Sequence, residues 1–461
     1  MSTSIPFPSV MVQTATTYLQ NLIQINTTNP PGGETAAARY LLSELGQEGI
    51  NGRIYEPSPG RGSLVARLPA DYPDGSGPIL LLAHLDTVAA DAKRWRHDPL
   101  GGEIIDGELW GRGALDCKGP AAVWAALMVG LRRTGVRRRR EIILAATADG
   151  ERGGNLGIGW IAANFPSEVR CAAALTQGGG WPLRVLGKTY YTYQIAEKGA
   201  VTVKMNAHGR AGHAGSPSTM NNAILLLGQA LSALAGADLP VHVAPGFQSF
   251  VERLAAPHSS PASSHIRSLL SPLLSKEAAR YIAASPRQRA LLMALGRNTI
   301  CPTMVSGGSR TWVSPDLAVA TLDARILPGQ TAETLLGELD ELLTGQGIPF
   351  AGRDGPYGLE LTATQETAPS ESPPQTPLAR AIERALARCE PAAHLVPIMT
   401  TASSGARFLR ALGGTAYGFF PTLPEVDLTT VHGLDERISL ASLELAMQVV
   451  WEVLCAYAGD L

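Results

Sequence analysis

One carboxylate, Asp116, lies in a glycine-rich stretch, residues 111–119, directly before an alanine-rich apolar segment. That segment, residues 120–131, predicts a helix with Pro120 in its first turn. The flanking glycines indicate a backbone in conformations that other residues resist. An acidic residue in this place is either a metal ligand or the N-terminal cap of the helix. The stretch alone favours the cap, and the residues around it must decide.

Three other stretches supply side chains that bind metals. His84 and Asp86 follow an apolar strand predicted at residues 78–83, and because residues two apart on an extended chain face one side, they can touch. A carboxylate behind a histidine fixes its tautomer. Glu151 follows a second predicted strand, residues 141–148, and His432 lies near the C-terminus. Two histidines and several carboxylates at strand ends are typical of a hydrolytic zinc site.

The elements that position these residues fall into two groups. Strand-like and helical stretches alternate up to about residue 187, which predicts an α/β fold with a mostly parallel sheet flanked by helices. Sites in this architecture form at the carboxyl ends of the strands. From about residue 198 the order becomes strand, helix, strand, helix, strand, which predicts an inserted α+β domain. Residues 240–297 are extra and predict helical and loop decoration.

The order of these stretches resembles the zinc metallopeptidase family of glutamate carboxypeptidase, aminoacylase, acetylornithine deacetylase and succinyl-diaminopimelate desuccinylase. The similarity is greatest to its carboxypeptidase-S-like and N-acyl amino acid hydrolase branch. It spreads over nearly the whole chain, and its segments are residues 26–32, 81–88, 111–119, 197–199, 209–217 and 432–433. It implies a metal-binding catalytic domain, residues 1–197 and 367–461, and a lid or dimerisation domain, residues 198–366.

The resemblance also implies a metal centre, with zinc as the expected ion. Asp116 would bridge two metals and precede a cis peptide bond. One metal would also bind His84, and the other Glu151 and His432. Asp86 would act as a catalytic residue behind His84.

For the substrate, the resemblance implies a small molecule with a carboxylate. His213 would reach across a homodimer and polarise the substrate carbonyl. Arg407 and Arg325 match arginines that would bind the substrate carboxylate, since a guanidinium holds a carboxylate through two parallel hydrogen bonds.

Four positions depart from the family pattern. Gly150 stands where the family has the glutamate that activates water, directly before the retained ligand position Glu151. Gln177 replaces an acidic ligand, and a neutral amide brings no charge to a metal. Trp312 replaces an asparagine, and Gly405 replaces an aspartate. The sequence therefore predicts one or two zinc ions with one weakened site.

Composition limits the partners. The chain has 461 residues and a formal net charge of −2, so no overall field favours nucleic acid or a membrane. The arginine run at residues 137–140 is interpreted as a solvated loop. The 5 cysteines are scattered, which indicates a reducing compartment, and we expect a cytoplasmic protein. We expect no signal peptide and no run long enough to span a bilayer.

Two functions remain open. The first is a metal-dependent hydrolase that cleaves the amide bond of an N-acyl amino acid or small peptide, with Asp149 or Glu197 as the replacement base and Gly150→Glu expected to raise activity. The alternative is a non-hydrolytic enzyme, catalysing acyl transfer or cyclisation, or an inactive ligand-binding protein on the same scaffold. Loss of a general base typically costs about 10²–10⁴ in rate.

Overall fold

The computed structural model describes residues 6–217 and 221–459, which form two compact units. The first unit extends to residue 195 and resumes at residues 371–398 and from residue 404 onward. The second unit comprises residues 196–370 and 399–403. The functional division into a catalytic and a lid domain stays a prediction.

A mixed sheet forms the centre of the first unit, with the strand order β1-β2-β6-β3-β7-β18-β9-β16, and β8 and β17 also pair with β9. The strands are β1 (Asn51–Tyr55), β2 (Ser63–Leu68), β3 (Ile79–His84), β6 (Ile142–Thr147), β7 (Ala173–Thr176), β8 (Pro182–Val185), β9 (Lys188–Glu197), β16 (Ser370–Glu371), β17 (His394–Thr400) and β18 (Thr415–Gly418). Strands β6, β3, β7 and β18 run parallel, whereas the flanking pairs β1/β2, β2/β6 and β9/β18 are antiparallel. A small sheet adds β4 (Ile104–Ile105), β5 (Glu108–Trp110) and β19 (Arg437–Ser439).

The helices of the first unit are α1 (Val10–Gln24), α2 (Glu34–Gln47), α3 (Lys118–Arg133), α4 (Ile158–Asn164), α5 (Pro166–Val169), α12 (Pro377–Cys389), α13 (Ala406–Ala411) and α14 (Leu440–Ala458). Helix α3 packs against β3 and β6, and α1 and α14 pack against α3. Residues 118–131 of α3 are all buried, which explains why this segment is apolar and rich in alanine.

Helix α14 contradicts the expectation that the chain has no run long enough to span a bilayer. Its 19 residues have a mean hydropathy of 1.3, so by length and composition this helix could cross a membrane. However, 67% of that window is buried within the protein, where α14 packs on α1, α3 and α12. Its apolar character is therefore accounted for by core packing.

Parallel pairing brings the loops that carry the predicted site to one edge of the sheet. His84 ends β3 opposite Thr147 of β6, and Leu82 lies opposite Thr176 of β7. The chain after each of these strands therefore leaves from the same edge, as expected for an α/β site.

The second unit is built on an antiparallel sheet with the order β12-β14-β10-β15. Its strands are β10 (Gly199–His208), β12 (Thr299–Gly307), β14 (Leu317–Ile326) and β15 (Gly358–Thr367), with a separate pair, β11 (Gly212–His213) and β13 (Val313–Ser314). The helices are α6 (Ala223–Leu234), α7 (Pro245–Ala255), α8 (Ala262–Arg267), α9 (Ser275–Ile282), α10 (Pro286–Leu295) and α11 (Ala332–Gly345). Helices α6 and α11 cover one face of the sheet and share its core. The sequence did not predict β12.

Candidate metal centre

Asp116 lies between two histidines that are far apart in sequence. Its Oδ1 is 3.1 Å from Nε2 of His84, and its Oδ2 is 3.2 Å from Nε2 of His432. The peptide bond between Asp116 and Cys117 is cis. Helix α3 begins at Lys118 with Cys117 in the cap position, so the interpretation of Asp116 as the cap was wrong. Its two oxygens instead face two separate groups of donors.

Glu151 completes the second of these groups. Its Oε2 is 3.0 Å from Nε2 of His432, and its Oε1 is buried without a hydrogen-bond partner in the described part of the chain. The ligand atoms of Asp116, Glu151 and His432 all lie within 4.8 Å of one another. His432 has a φ of 58°, a conformation uncommon for residues other than glycine and often found at functional sites.

Asp86 lies behind His84, as the sequence predicts. Nδ1 of His84 is 3.3 Å from Oδ1 of Asp86 and 3.1 Å from its backbone oxygen, so both oxygens favour a proton on Nδ1 and leave Nε2 toward Asp116. Asp86 is fully buried and accepts N–H bonds from Asn29, Gly150 and Glu151 at 2.9, 2.7 and 3.1 Å. Because two of these donors belong to the loop after β6, Asp86 also holds the loop that carries Glu151.

The charges of the centre depend on one another. The hydrogen bonds that the Asp116 and Glu151 carboxylates accept from His432 raise the pKa of this histidine to about 10, although partial burial opposes this. Burial opposes ionisation of Asp116, but the two histidines outweigh it and lower the pKa of this carboxyl. The carboxylates of Asp116 and Glu151 lie against two protonated histidines, and one oxygen of Glu151 has no hydrogen-bond partner among the described residues. Such a set of donor atoms is suited to a cation. These residues therefore fit zinc.

Cys117 adds a thiol close to the first group. Its sulfur lies within 4.8 Å of the ligand atoms of His84 and Asp116. Burial raises the pKa of this thiol to about 12, so it stays protonated at neutral pH, and a thiol binds metal poorly compared with a thiolate. Cys117 is therefore better described as a packed thiol than as a ligand.

Gln177 follows β7 and is half-buried. Its Oε1 is buried without a hydrogen-bond partner among the described residues, and no hydrogen bond there joins its side chain to His84 or Asp116. The glycines at 178–180 pack against Gln194 and residues 418–420 so closely that a side chain at any of them would collide. An oriented but unpaired amide oxygen is compatible with a ligand role, which stays a prediction.

The space at Gly150 does not favour the expected gain of activity in Gly150→Glu. Gly150 begins a short 3₁₀ turn, residues 150–152, and its φ is not in the left-handed region. A Cβ on Gly150 would lie 2.5 Å from Cδ2 of His84 and closer still to Cγ and Cβ of the same side chain. Because His84 is held by Asp86 and Asp116, a glutamate cannot be added here without moving a predicted ligand. Gly150→Glu is therefore not a simple restoration of the family residue.

Both carboxylate oxygens of Asp149, one of the two replacement bases that the sequence suggested, are already hydrogen-bonded. Its Oδ1 accepts from Arg61 at 3.0 Å and from Asn29 at 3.3 Å, and its Oδ2 accepts the backbone N–H of Leu156 at 3.0 Å. Asp149 is only 4% exposed, so its carboxylate is committed to structural bonds. Glu197, the other suggestion, is fully buried and accepts a hydrogen bond from Ser370 at 3.0 Å.

A buried ion network that sequence reasoning missed supports this loop. Arg61 forms two hydrogen bonds to Glu34, at 2.9 and 2.8 Å, and Glu34 is fully inaccessible. Glu34 also accepts the backbone N–H of Asp149 at 3.1 Å. Asn29 joins the same network to the centre, because its amide donates to both Asp86 and Asp149. No local pattern marks Arg61 or Glu34, since the pairing is made only by the fold.

A second missed residue, Glu436, holds the turn around Asp116. Its Oε1 accepts the backbone N–H groups of Leu115 and Asp116 at 2.8 and 3.1 Å, and its Oε2 pairs with Arg112 at 2.6 Å. Glu436 lies four residues after His432, so one segment supplies both a predicted ligand and the support of the bridging aspartate. That proximity in sequence was the available signal.

Arg407 and Gly405 lie at the start of α13. Arg407 donates to the backbone oxygen of Gly153 at 2.6 Å, which places its guanidinium beside the loop after Glu151. A Cβ on Gly405 would lie 2.9 Å from Leu82 and 3.1 Å from Ile158, so an aspartate there would need these apolar side chains to shift. A substrate role for Arg407 stays a prediction.

Three predicted site residues belong to the second unit. His213 is exposed and lies opposite Val313 in the β11/β13 pair, and the oxygen of the adjacent Trp312 accepts the N–H of Ala214 at 3.0 Å. The altered position Trp312 is 63% exposed, and its bond to Ala214 places it next to His213. Arg325 on β14 pairs with Asp323 through two bonds of 2.8 and 2.9 Å.

Comparison with known proteins places this geometry in context. The profile of peptidase family M20/M25/M40 matches residues 80–456. An N-fatty-acyl-amino acid synthase/hydrolase of Xenopus tropicalis is 27% identical over 397 residues, which cover 80% of this chain and 70% of that protein. An M20 family metallo-carboxypeptidase of Sulfolobus solfataricus superposes with a TM-score of 0.66 at 17% identity, over 96% of this chain and 99% of that chain. A dinuclear metal binding peptidase of the same family from Bacillus subtilis gives a TM-score of 0.59 at 11% identity, over 97% and 98% of the two chains. The predicted fold is confirmed.

Proposed function

The chain belongs to peptidase family M20/M25/M40, a family of metal-dependent hydrolases, and on that premise we propose that it is a zinc-dependent enzyme acting on the amide bond of an N-acyl amino acid or small peptide. The resemblance read from the sequence motifs is thereby confirmed at the level of the family. The substrate and the reaction of this member are the proposal.

The observation that carries the proposal is the position of Asp116 between His84 and His432, with one carboxylate oxygen about 3.1–3.2 Å from each ring. His84, Asp116, Glu151 and His432 would hold the metal, and Gln177 is the fifth candidate. Bound zinc would polarise the scissile carbonyl and lower the pKa of water. Asp86 would keep Nδ1 of His84 protonated, and thereby keep its Nε2 available as a ligand.

The missing carboxylate at position 150 decides how fast hydrolysis can be. No side chain at Gly150 can take a proton from water, and Asp149 is bound to Arg61. We therefore propose a hydrolytic rate below that of an enzyme with a general base, by about 10²–10⁴. The same feature favours the second candidate, acyl transfer or cyclisation, because a site without a water-activating base spares an acyl group from hydrolysis. The Xenopus relative is named both a synthase and a hydrolase.

The proposed substrate carries a carboxylate. Arg407 supports this, since its guanidinium lies beside the loop of Glu151 and a guanidinium binds a carboxylate through paired hydrogen bonds. His213 and Arg325 are the candidate contacts from the second unit.

A substrate panel tests the proposed function. The purified chain would be incubated with zinc, cobalt or manganese and with N-acyl amino acids and dipeptides, with and without an added amine as acyl acceptor. The proposal expects slow, metal-dependent release of the amino acid, or formation of the new amide, and loss of both in Asp116→Asn. No turnover of either kind with any metal would reject an enzymatic role and leave the ligand-binding alternative.

We further propose a homodimer formed through strand β12. This strand pairs with β14 on one side, and in the described part of the chain its other edge is unpaired. Met304 and Val305 on β12 are 68% and 63% exposed, and Ile224 of the adjoining α6 is 47% exposed. An apolar, unpaired strand edge is a surface that another chain commonly covers. Light scattering should give a dimer mass at micromolar concentration. Met304→Glu should give a monomer, whereas Leu273→Glu, at an even more exposed apolar position (88%) on another segment, should not.

A further inference from the structure

A cleft in the second unit has no role in the proposed reaction. It has a volume of about 510 Å³ and lies between the end of α6, helices α9 and α10, and the start of β12. Small-molecule sites typically measure about 300–1,000 Å³. Two of its walls come from residues 240–297, the segment that the sequence marks as extra.

The cleft is cationic. Its lining contains four basic side chains and one carboxylate, namely Lys276, Arg280, Arg289, Arg297 and Asp238. Asp238 is already paired with Lys276, and Arg280 pairs with Glu277 on the exposed side of α9. Arg289 is exposed and forms no ion pair with any described residue. The cleft therefore retains uncompensated positive charge.

Arg297 is the unusual member of this set, because it is a buried guanidinium held only by neutral groups. It is 7% exposed and donates to the backbone oxygen of Leu239 at 2.9 Å, to Oγ of Ser275 at 2.7 Å and to the sulfur of Met293 at 3.5 Å. No carboxylate of the described chain pairs with it. A buried cation without an anion is costly. A negative group that enters the cleft would offset this cost.

The remaining lining is apolar. Leu234, Leu239, Met293 and Ile300 line the cleft together with several alanines. Methionine and aliphatic side chains adapt to a flexible hydrocarbon better than to a rigid polar ligand. A cationic end joined to an apolar wall is complementary to a molecule that has a negative head and an alkyl chain.

We propose that this cleft binds a fatty-acid-type carboxylate, with its head group near Arg289 and Arg297 and its alkyl chain along the wall formed by Leu234, Met293 and Ile300. The site lies in the second unit and uses none of the predicted metal ligands, so it does not depend on the proposed function. Burial of each methylene group strengthens binding by about fourfold, which favours a long chain over a short one.

Calorimetric titration of the full chain with dodecanoate, below its micelle concentration, tests the proposal. Dodecyltrimethylammonium has a similar chain with a positive head, and butyrate has the same head with a short chain. The proposal expects saturable binding of dodecanoate and at least tenfold weaker binding of both comparison compounds. Equal binding of the cationic compound would show that the head group is not recognised and would overturn the proposal, as would no binding of dodecanoate.

Variants locate the site. Arg289→Gln should weaken dodecanoate binding at least about tenfold, because it removes a charge-assisted contact. Arg287→Gln is the matched control, since Arg287 is on the same helix but does not line the cleft. Asp116→Asn, which alters the metal centre, should leave dodecanoate binding unchanged. If binding falls in Asp116→Asn and persists in Arg289→Gln, the fatty acid binds at the metal centre and the proposed cleft is wrong. Arg289 is exposed, so its variant is expected to fold even if Arg297→Gln does not.

Discussion

Adding a side chain at Gly150 should damage the metal centre rather than restore a general base. The backbone at Gly150 does not require glycine, because its φ is outside the left-handed region. The obstacle is His84, whose ring would be contacted by a Cβ at distances of 2.5 Å and below. Gly150→Ala already introduces this contact, and Gly150→Glu adds a charged side chain to it.

Two responses can relieve the contact, and their costs differ. If His84 rotated away, it would give up its bonds to Asp86 and Asp116, each worth about 1.5–3 kcal/mol because charged groups are involved. If the turn at residues 150–152 shifted instead, the cost would be that of overpacking, about 1–3 kcal/mol. The turn is therefore expected to move, and Glu151 moves with it. We expect a loss of about 1–3 kcal/mol in unfolding free energy and about 10–100-fold in zinc affinity, the usual cost when the support of a ligand is disturbed.

The assay is a zinc titration combined with urea unfolding of Gly150→Ala, Gly150→Glu and the unaltered protein. Gly46→Ala is the matched control, because a Cβ on Gly46 in α2 meets nothing within 4 Å. It should be neutral or slightly stabilising, as expected for alanine in a helix. Zinc affinity that is unchanged or higher in Gly150→Glu, together with a gain in hydrolysis, would refute the reasoning and show that the loop accepts a base.

Three other predictions concern the same centre. Arg61→Met leaves Glu34 and Asp149 buried without a cation and should lower the free energy of unfolding in urea by about 3–5 kcal/mol. Its control, Arg353→Met, breaks an exposed pair and should lower the free energy of unfolding by only about 0–1 kcal/mol. Similar losses in the two variants would contradict this. After mild dialysis the protein should hold nearer one zinc than two by elemental analysis, because the ligand set with Gln177 keeps only the bridging carboxylate. Gln177→Glu should raise the zinc count. Two tightly held zinc ions in the unaltered protein would contradict this prediction. Zinc binding at pH 7 should release about one proton for each zinc ion bound, measured by calorimetry in buffers of different ionisation enthalpy. The pKa of His432 is raised to about 10 by its carboxylate partners, and that of His84 lies well above its ordinary value despite burial. Because only neutral imidazole binds zinc, each ion displaces the proton of its own histidine.

The sign of the pH effect follows from these pKa values. Protons compete with zinc for His432 and His84, so zinc affinity should rise as the pH rises from 6 toward 9. In the metal-free protein, the protonated His432 pairs with Asp116 and Glu151. Because its folded pKa is above the ordinary value, this contribution to stability is complete below about pH 6.5 and is lost as the pH rises through about 10. An affinity that falls with rising pH over this range would contradict the assignment.

The fold could be predicted from sequence because its signals are local. The alternation of buried strands and amphipathic helices predicted the parallel sheet, and the short motifs around His84 and Asp116 predicted which strand ends carry polar groups. The register of β3 with β6 and β7 then brings those ends together. Strand β12 was missed because most of its residues are exposed, so it lacks the apolar alternation that marks a half-buried strand.

The supporting contacts of the site could not be predicted. Arg61 reaches Glu34 and Asp149 across 27 and 88 residues of sequence, and nothing near Arg61 indicates a buried cation. The space at Gly150 depends on where the ring of His84 lies, which no motif contains. The arginine run shows the same limit. Arg138 was interpreted as part of a solvated loop, but it is only 6% exposed and pairs with Asp71. A charge run is solvated only if the fold offers it no partner.

Anomalous diffraction at the zinc absorption edge, from crystals of the full chain grown with zinc, tests the central claim most directly. The account predicts a strong peak about 2.0–2.2 Å from Oδ2 of Asp116, from a carboxylate oxygen of Glu151 and from Nε2 of His432. It also predicts a weaker peak, or none, between Oδ1 of Asp116 and Nε2 of His84. No peak at Asp116, or zinc bound only elsewhere on the chain, would contradict the metal centre and the function proposed from it.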